Sequence, residues 1–483
     1  MYRVVSLFSG AGGLDWGFVA SGEFKIVHAV EISASAAKTY SENFGLKLEF
    51  CGGRAAVAVE GAVLACDVSS VDFSPLGRAG VDVVVGGPPC QDFSVVRGPD
   101  LENGGIKVVR GRLYAHFVRA LVQLQPKLFV FENVPGLAAA NGGLAYRVIL
   151  EDFQRLNLRW PEVSKAAGLR KSGRASGYEV LFSGIVDFSV LGVPQRRRRL
   201  IIMGVRRDLA DALGREALSE LNSLLTARLA GASLPFAKYP LTPLEVFEGR
   251  RLDELQHVYA DVMRAWEDVW EEVRTSAALE WKQKVWDSLT FDVVEDYLRV
   301  NGVKPSSPGE LEDALKAHEA VLRELNYYGV RVCSQPLPDG TCEPPAESGD
   351  VVERLKRIPP GENHKFVQGT SWEVEGKGIS LIYRRLHPLK PAYTIVAYGG
   401  GGTHGYHYDR RRSALTLRER ARLQTFPDSF LFSGSRSEIR AQIGEAVPPL
   451  AAKRIAEAVY AVLKLLEGHS LKPQVAEVSR MML

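Results

Sequence analysis

Over about the first 205 residues of this chain, short apolar segments alternate with stretches that have helical spacing. This alternation predicts an α/β fold with a mostly parallel sheet and helices on both faces, because parallel strands need a crossover connection, usually a helix. Glycine-rich loops follow several of the predicted strands. The predicted strands are Arg3–Phe8, Lys25–Ile32, Val63–Asp67, Val81–Val85, Leu128–Glu132, Val180–Val186 and Leu200–Val205.

The net charge shows that the chain as a whole is not a polycation. The sequence has 483 residues and a formal charge of +3, so any nucleic-acid site must be a local basic face. Arginine runs at 196–199, 384–385 and 410–412 could form such a face. Each run alone is weak evidence, because charge runs usually form solvated surface.

Five cysteines, at positions 51, 66, 90, 333 and 342, are irregularly spaced and form no CxxC pair. This pattern argues against a disulfide framework and a zinc site and predicts a reducing compartment, although Cys333 and Cys342 could pair or be inert. The N-terminus is typical of a strand rather than a signal peptide, and no apolar run approaches membrane-spanning length. We therefore expect a soluble, cytoplasmic protein.

The character of the sequence changes after residue 207. Helical spacing prevails to about residue 330, with Trp266, Trp270, Trp281 and Trp286 forming either an aromatic binding platform or, as we favour, the core of a helical subdomain. A loop-rich stretch covers 333–378. Beyond it we predict strands at 379–384 and 393–396 and helices at 416–424, 437–443 and 449–466.

Cys90 follows the apolar run Val81–Val85 through two glycines and two prolines. The turn carries the thiol just beyond the carboxyl end of a predicted buried strand, where ligands bind in open α/β sheets. A thiol held there is placed for nucleophilic attack, whereas a free cysteine is otherwise often an inert buried residue. The residue alone leaves both interpretations open.

A glycine-rich loop, from Phe8 to Leu14, follows the first strand. Asp15 replaces the third glycine of the phosphate-binding fingerprint, which argues against a dinucleotide. Glu31 ends the second strand, where a carboxylate can bind ribose hydroxyls, and Asp67 ends the third, where it could accept from an adenine amino group. Either carboxylate alone could be a surface residue or a helix cap. Together the three loops predict a site for a nucleoside-bearing cofactor without a pyrophosphate.

Glu132 ends another apolar strand. Apolar neighbours predict a raised pKa for its carboxyl group, so that a protonated Glu132 could donate to a ring nitrogen while a thiolate adds to the ring. Basic neighbours favour a thiolate, and the arginines at 196–199 could supply them. Cys90 and Glu132 thus form a candidate pair of nucleophile and acid.

At this point the sequence resembles the cytosine-5 DNA methyltransferases, over most of the chain outside residues 208–350. Besides the Glu31 strand, the blocks that carry the resemblance, in family order, are SLFSGAGGLDWGF, CDV, GGPPCQDFS, RGRL, FENVPGL, GVPQRRRRLIIMG, LTLRERARLQTFPDSF and QIGEAVPP. The resemblance implies a Rossmann-like catalytic domain, S-adenosylmethionine as cofactor, S-adenosylhomocysteine as product, and no metal.

The resemblance also assigns roles to individual residues. The catalytic residues that it implies are Cys90, Glu132, Arg197 and Arg199. The cofactor-binding residues that it implies are Phe8, Gly10, Gly12, Leu14, Glu31, Ile32, Asp67, Val68, Pro89 and Val447. The residues expected to contact the base or the DNA are Gln91, Ser94, Asn133, Arg97, Arg110 and Arg411.

In the implied mechanism, Cys90 attacks carbon 6 of a cytosine that has been flipped out of a duplex, while Glu132 holds ring nitrogen 3 and the amino group. Flipping calls for a mobile loop, and residues 91–111 are either that lid, as we favour, or an ordinary surface loop. Two features depart from the family. Glu445 replaces the usual Asn, and the loop after Cys90 lacks the usual Ala-Gly.

The resemblance further predicts a division of the chain into domains. The predicted parts are a catalytic domain at 1–207 completed by 440–470, a helical insertion at 208–330, a smaller, loop-rich target-recognition domain at 331–439 and a tail at 471–483. Gly399–Gly402, His404, His407 and Arg410–Arg412 are further candidate DNA contacts.

The expected partner is double-stranded DNA, with the protein acting as a monomer and without a membrane. We expect the modification enzyme of a restriction–modification pair, whose cognate endonuclease acts on the same site without direct contact. Two alternatives remain open. A tRNA cytosine-5 methyltransferase keeps the same blocks, but the long recognition interval favours DNA. A catalytically silent DNA-binding homologue is disfavoured by the intact Cys90, Glu132, Arg197 and Arg199.

Overall fold

The computed structural model describes residues 1–89, 112–156, 159, 163–164, 175–374, 382–398, 402–403 and 405–468. The chain forms two compact units. The first comprises Met1–Asp187, Arg198–Ser233 and Ala451–Leu483, and the second comprises Phe188–Arg197 and Leu234–Leu450. Within the described ranges, no helix has the length and apolar character needed to cross a membrane.

An eight-stranded sheet organises the described part of the first unit, in the order β3-β5-β2-β1-β7-β8-β10-β9. Neighbouring strands from β3 to β8 run parallel, whereas β10 runs antiparallel to both β8 and β9. The strands of the chain are β1 (Tyr2–Leu7), β2 (Phe24–Glu31), β3 (Lys47–Phe50), β4 (Ala56–Val57), β5 (Ala62–Ala65), β6 (Val71–Asp72), β7 (Val83–Gly86), β8 (Leu128–Asn133), β9 (Tyr178–Asp187) and β10 (Arg198–Arg206). This sheet confirms the predicted Rossmann-like α/β fold.

Helices surround the sheet of the first unit and make up much of the second. In chain order they are α1 (Gly13–Ala20), α2 (Ala34–Phe44), α3 (Ser74–Ala79), α4 (Arg112–Leu124), α5 (Gly136–Ala139), α6 (Leu144–Gln154), α7 (Arg207–Leu213), α8 (Arg215–Leu229), α9 (Pro243–Glu248), α10 (Gln256–Arg264), α11 (Val269–Val273), α12 (Ser276–Lys284), α13 (Val293–Asn301), α14 (Pro308–Glu324), α15 (Gly349–Leu355), α16 (Leu417–Leu423), α17 (Arg436–Glu445) and α18 (Pro449–Gly468). Those predicted at 416–424, 437–443 and 449–466 are present as α16, α17 and α18.

The C-terminal helix α18 belongs almost entirely to the first unit. Gly17 of α1 packs so closely on Ala452 and Lys453 of α18 that a Cβ at position 17 would collide with both residues. A glycine is therefore required where the two helices meet. On the sheet, fully buried Phe117 and Leu121 of α4 pack with Phe129 and Phe131 of β8 in one apolar core.

The seven strands predicted within the first 205 residues agree with the structure to within two residues at each end. The sequence missed β3, because its four residues, Lys-Leu-Glu-Phe, alternate charge and apolar character too briefly to stand out. As the edge strand of the sheet it is also only partly buried. Edge strands are commonly short and charged for this reason.

The tryptophan-rich segment forms part of the core of the second unit. Trp266 and Trp281 are buried and share an apolar cluster with Phe366, Ile382 and Tyr406. The prediction that the tryptophans form the core of a helical subdomain is thus confirmed, in preference to the aromatic binding platform. This cluster joins residues from both sides of position 331, and the second compact unit accordingly includes residues 234–450. The predicted domain bounds at 208, 331 and 440 stay a prediction. The functional roles of the predicted domains stay a prediction.

The strands predicted at 379–384 and 393–396 were wrong for the residues that the structure describes there. Their backbone groups bond to irregular partners instead of a ladder: Tyr383 N–H donates to the Gly402 carbonyl, and Ile395 N–H donates to the side chain of Gln195. The alternation of apolar residues in these segments could not indicate that their backbone N–H groups would donate to partners outside a strand ladder.

The prediction that the chain has no disulfide framework was wrong, and of the two possibilities left open for Cys333 and Cys342 the pairing is present. Cys51 is bonded to Cys66, and Cys333 to Cys342, with Cα–Cα distances of 5.6 and 5.3 Å. Cys51 and Cys66 are 15 residues apart in sequence, but each follows one of two paired strands, β3 and β5. The spacing of Cys51 and Cys66 in the sequence could not indicate their disulfide, because the pairing of β3 with β5 brings them together.

Candidate active site

The glycine-rich loop between β1 and α1 has a backbone that suits a ligand. Phe8, Gly10 and Gly12 all have positive φ angles, of 56°, 54° and 97°. A Cβ at Gly12 would lie 2.5 Å from the ring of Phe44, whereas one at Gly10 would meet nothing within 4 Å. Gly12 is thus needed for packing, and Gly10 leaves room for an approaching ligand. Leu14, in the first turn of α1, is almost fully buried.

Glu31, at the end of β2, ties this loop to the sheet. Its carboxylate accepts hydrogen bonds from the backbone N–H of Gly10 and of Ser33, each at 2.8 Å. The next residue, Ile32, is 71% exposed although it is large and apolar. An exposed apolar side chain beside a fixed carboxylate fits a nucleoside, since one can contact a base and the other a ribose.

The turn after β5 completes this edge of the sheet. Cys66 N–H donates to the Glu31 carbonyl at 2.8 Å, which sets Asp67 beside β2. Asp67 is exposed and caps a short helical turn, 68–70, by accepting from Ser69 N–H at 2.8 Å. The cap interpretation of Asp67 is therefore correct, and its exposure leaves the carboxylate accessible to a ligand as well. Because β5, β2 and β1 are neighbours, the structure brings the three predicted loops together.

Two residues that support these loops were not identified from the sequence. Arg119 of α4 donates to the Val68 carbonyl at 2.6 Å and lies over the ring of Phe73. Burial lowers the pKa of this guanidinium to about 10. Asp15 of α1 is fully buried below the glycine-rich loop and accepts from the Ser6 hydroxyl at 2.8 Å. Burial raises its pKa to about 7.

The raised pKa of Asp15 predicts a pH-dependent stability. The folded state holds a proton at pH values where the unfolded carboxyl has lost it, so stability falls as the pH rises from about 4 to about 7. Asp15→Asn should remove this loss and stabilise the protein by ~2 kcal/mol or more at pH 8, with little effect near pH 4. Thermal melts of both proteins from pH 4 to 8 measure it. A difference that does not change with pH would contradict the prediction.

The second cluster of the first unit surrounds Glu132 in β8. A Cβ at Gly87 would lie 2.6 Å from Glu132 Oε2, so the carboxylate is packed against the backbone that leads to Cys90. Asn133 is buried, and its side chain donates to the Pro88 carbonyl at 2.9 Å. Pro89, the last described residue of this turn, is exposed. Glu132 and Asn133 therefore contact the turn at Gly87 and Pro88 from the neighbouring strand.

Arg199 of β10 pairs with Glu132. The distance from Arg199 Nε to Glu132 Oε1 is 3.0 Å, and both side chains are largely buried, at 14% and 12% exposure. The antiparallel pairing of β10 with β8 creates this contact. The guanidinium of Arg199 therefore holds the Glu132 side chain in place, and the raised pKa predicted for Glu132 stays a prediction.

A family model described as C-5 cytosine-specific DNA methylase matches residues 2–224 and 346–461, more than half of the chain. The chain belongs to this family. Its enzymatic activity is accordingly the methylation of carbon 5 of cytosine in DNA. The glycine-rich loop, the GGPP turn, Glu132 and Arg199 all lie within the matched residues of this methylase.

Relatives of the methylase cover almost its whole length. DNA (cytosine-5-)-methyltransferase M.ApeKI of Aeropyrum pernix is 63% identical over 96% of this chain and 99% of that protein. Type II methyltransferase M.BbvI of Brevibacillus brevis is 30% identical over 97% of this chain and 94% of that protein. The crystal structure of a candidate DNA modification methyltransferase encoded within an E. coli prophage has a TM-score of 0.52 at 21% identity and covers 96% of this chain and 100% of that one. This structural likeness concerns the fold alone.

In the second unit of the methylase, Gln195 and Arg197 are buried while Arg196 between them is exposed. Arg197 donates to the carbonyls of Ile395 at 3.1 Å and Gly444 at 2.8 Å. Its guanidinium therefore holds backbone in this unit, and its predicted catalytic role stays a prediction. Gly444 was not singled out from the sequence, yet a Cβ there would collide with the backbone of Ala397.

The arginine run at 410–412 is paired with carboxylates. Arg411 is 57% exposed and pairs with Asp409 at 2.8 Å and Asp261 at 2.7 Å, so a phosphate would have to compete with both. Arg410 pairs with Asp268 and Glu272. The DNA contact predicted for Arg411 stays a prediction.

The structure contradicts the DNA contact predicted for His407. This side chain is only 4% exposed, stacks on the ring of Phe247 and lies tilted against the ring of Tyr408. Burial lowers the pKa of its imidazole well below the usual value, so the ring is a neutral core residue. A histidine amid tyrosines and arginines gave no sign of this burial in the sequence.

Val447, a predicted cofactor contact, is buried and belongs to the second unit. Glu445, which replaces the family's Asn, ends α17 and accepts from Arg197 through its backbone carbonyl at 3.4 Å. Several predicted residues lie outside the described ranges: Cys90, Gln91, Ser94, Arg97, Arg110, Gly399–Gly401 and His404.

Proposed function

We propose that this methylase modifies a cytosine flipped out of a specific sequence in double-stranded DNA, with Cys90 as nucleophile and S-adenosylmethionine as methyl donor. One observation carries the proposal: the Glu132 carboxylate is packed against Gly87, three residues before Cys90, and is paired with Arg199. This arrangement supports a thiol and a carboxylate that act on the same ring.

The proposed reaction uses few groups of the chain. The Cys90 thiolate adds to carbon 6 of the base, while Glu132 holds ring nitrogen 3 and the exocyclic amino group, so that carbon 5 becomes nucleophilic. S-adenosylmethionine, when bound, supplies a sulfonium methyl group as the electrophile. A base then removes the proton from carbon 5, and the carbon 6 bond to sulfur breaks, which restores the aromatic ring and the thiolate. Arg199 keeps the Glu132 carboxylate in place throughout.

The edge formed by β1, β2 and β5 supports the proposed donor site. Glu31 would bind the ribose hydroxyls, Ile32 would contact the face of the adenine, and Asp67 would accept from its amino group. Gly10 would let the donor approach the backbone. The carboxylates and the exposed apolar side chain at this edge support a donor that carries a nucleoside rather than a pyrophosphate.

We further propose that the methylase is the modification enzyme of a restriction–modification system, acting inside the cell as a monomer. Relatives named as type II methyltransferases support this role. A cognate endonuclease would recognise the same site without direct contact. The second unit would read the DNA, with the exposed Arg196 among the candidate contacts.

The test is transfer of a tritiated methyl group from S-adenosylmethionine to duplex DNA, with tRNA as the competing acceptor. We expect transfer to DNA, and a loss of about 10³-fold or more in Cys90→Ser. DNA containing 5-fluorocytosine should trap wild-type protein covalently, which a silent homologue could not do. The proposal fails if wild type transfers nothing, if tRNA is the acceptor, or if Cys90→Ser keeps full activity. Bisulfite sequencing of DNA from expressing cells would then identify the recognition sequence.

A further inference from the structure

A covalent bond joins two strand ends beside the proposed adenine site. Cys51 directly follows β3 and Cys66 directly follows β5, and the last residues of these strands, Phe50 and Ala65, are paired in register. The two cysteines are therefore carried side by side, and their disulfide links them with a Cα–Cα distance of 5.6 Å. Cys66 is 5% exposed, so this end of the bond lies within the core of the first unit.

Cys66 lies directly between the two carboxylates of the proposed donor site. Its backbone N–H donates to the carbonyl of Glu31 at 2.8 Å, and its neighbour Asp67 caps the turn 68–70. The far side of the same turn is held by Arg119, which donates to the Val68 carbonyl at 2.6 Å. The turn that carries Asp67 is thus fixed at one end by the disulfide and at the other by a guanidinium.

The first part of the segment that the disulfide closes is held mainly by backbone pairing, with Ala56 and Val57 of β4 next to Val71 and Asp72 of β6. Residues 52–57 are largely exposed, and Gly52 and Gly53 have positive φ angles that favour glycine, a residue with many backbone conformations when it is released from the fold. β3 is a four-residue edge strand with no fully buried side chain. Without the cross-link, the loop and the edge strand could separate from β5 at low cost, and the Asp67 turn would lose its restraint on that side.

We propose that Cys51 and Cys66 are positioning residues for the donor site: their disulfide fixes the Asp67 turn, and reducing it weakens cofactor binding. The inference rests on the proposed donor site. Reduction by a dithiol is a two-electron thiol–disulfide exchange, in which the S–S bond breaks, both cysteines become thiols and the dithiol closes to a cyclic disulfide. Because coupling between two equilibria is reciprocal, bound cofactor also protects the disulfide against reduction.

The second disulfide provides a matched control. The Cys333–Cys342 disulfide lies in the second unit and is cleaved by the same reductants. The variant Cys333→Ser/Cys342→Ser lacks this disulfide but keeps the Cys51–Cys66 disulfide, so any effect of reductant on it comes from the latter. Cys51→Ser/Cys66→Ser removes the positioning bond alone. Wild-type protein studied with and without dithiothreitol needs no substitution, so the test does not depend on how well either variant folds.

The experiment combines alkylation mass spectrometry, which locates the disulfides, with calorimetric titration of S-adenosylhomocysteine. We expect reduction to raise its Kd by about tenfold in wild type and in Cys333→Ser/Cys342→Ser. Cys51→Ser/Cys66→Ser should bind equally weakly with and without reductant. In methyl transfer, KM for the donor should rise on reduction while kcat at saturating donor changes by less than about twofold.

Three results would overturn the inference. The first is finding Cys51 and Cys66 as free thiols after treatment with oxidised glutathione. The second is an equal, tight Kd for S-adenosylhomocysteine in the oxidised and reduced proteins, which would leave the proposed function standing. The third is no binding of S-adenosylhomocysteine in either state, which would overturn the proposed donor site itself.

Discussion

Glu132→Gln is expected to lower kcat for methyl transfer by about 10²–10⁴-fold. The amide keeps the shape of the side chain and its contact with Gly87 but can neither carry a proton to ring nitrogen 3 nor pair with Arg199. Addition of the thiolate to the base should therefore slow. Binding of S-adenosylhomocysteine should change little, since the proposed donor site is formed by β1, β2 and β5 rather than β8.

A matched control for this change is Glu179→Gln. Glu179 lies in β9 of the same sheet and pairs with Arg207 at 2.7 Å, but both side chains are more exposed than those of the Glu132–Arg199 pair. We expect this variant to retain kcat. The kcat of Arg199→Lys should lie between those of Glu132→Gln and Glu179→Gln, because lysine keeps the positive charge of arginine but lacks its planar guanidinium group.

Single-turnover methyl transfer and covalent trapping on 5-fluorocytosine DNA measure these effects. Slow trapping in Glu132→Gln with unchanged cofactor binding would place the defect at the addition step. Wild-type kcat in Glu132→Gln, or a loss of the same size in Glu179→Gln, would contradict the assignment. The first result would remove Glu132 from the reaction, and the second would make its effect a matter of fold stability.

The sheet could be predicted from the sequence because buried parallel strands are largely apolar. β7 is a continuous apolar run, and β1, β2 and β8 are apolar at most positions. The segment 393–396 has a comparable pattern but forms no strand. The backbone N–H of Ile395 donates instead to the side chain of Gln195, which is 200 residues away in sequence. A local pattern cannot indicate a partner that is brought in by tertiary structure.

The site residues that could be predicted from the sequence are those that follow the predicted strands. Gly10, Glu31 and Asp67 follow consecutive predicted strands, and parallel strands bring their carboxyl ends to one edge. Arg119 and Asp15 were not predictable, because each acts from a helix through a single hydrogen bond to a loop or strand. The disulfide at Cys66 was missed for a related reason, since it depends on the register of β3 with β5.

The Arg384–Arg385 pair shows the same limit in the second unit. Both residues were counted with the basic runs that could form a surface, but Arg385 is fully buried. Its guanidinium donates to five backbone carbonyls. They belong to Leu355, Ile358, His407, Asp409 and Arg412.

The side chain of Arg385 has little else to compensate its charge. It lies 4.8 Å from the ring centre of Trp266, and burial lowers its pKa to about 9. Because the carbonyls that it joins come from segments up to 57 residues apart, it connects the loop after α15 to the chain before α16. Removing it leaves buried acceptors without donors.

Arg385→Leu and Arg385→Lys should therefore each destabilise the second unit by more than about 3 kcal/mol. Leucine removes all five hydrogen bonds, and only the carbonyls of Leu355 and Asp409 keep a backbone N–H donor, from Ile358 and Arg412. Lysine offers three hydrogens from one nitrogen, whereas the guanidinium offers five from three. Arg323→Lys is the matched control, because Arg323 is 59% exposed and pairs with Glu319 on the surface of α14. Its effect should stay within about 0.5 kcal/mol.

Urea unfolding followed by tryptophan fluorescence measures this difference selectively, since five of the seven tryptophans lie between residues 234 and 450. We expect the midpoint to fall sharply in both Arg385 variants and to stay unchanged in Arg323→Lys. If Arg385→Lys unfolded at the wild-type urea midpoint, the positive charge alone would be enough to stabilise the second unit. The network of carbonyls would then contribute little, because an ammonium group cannot reproduce its geometry.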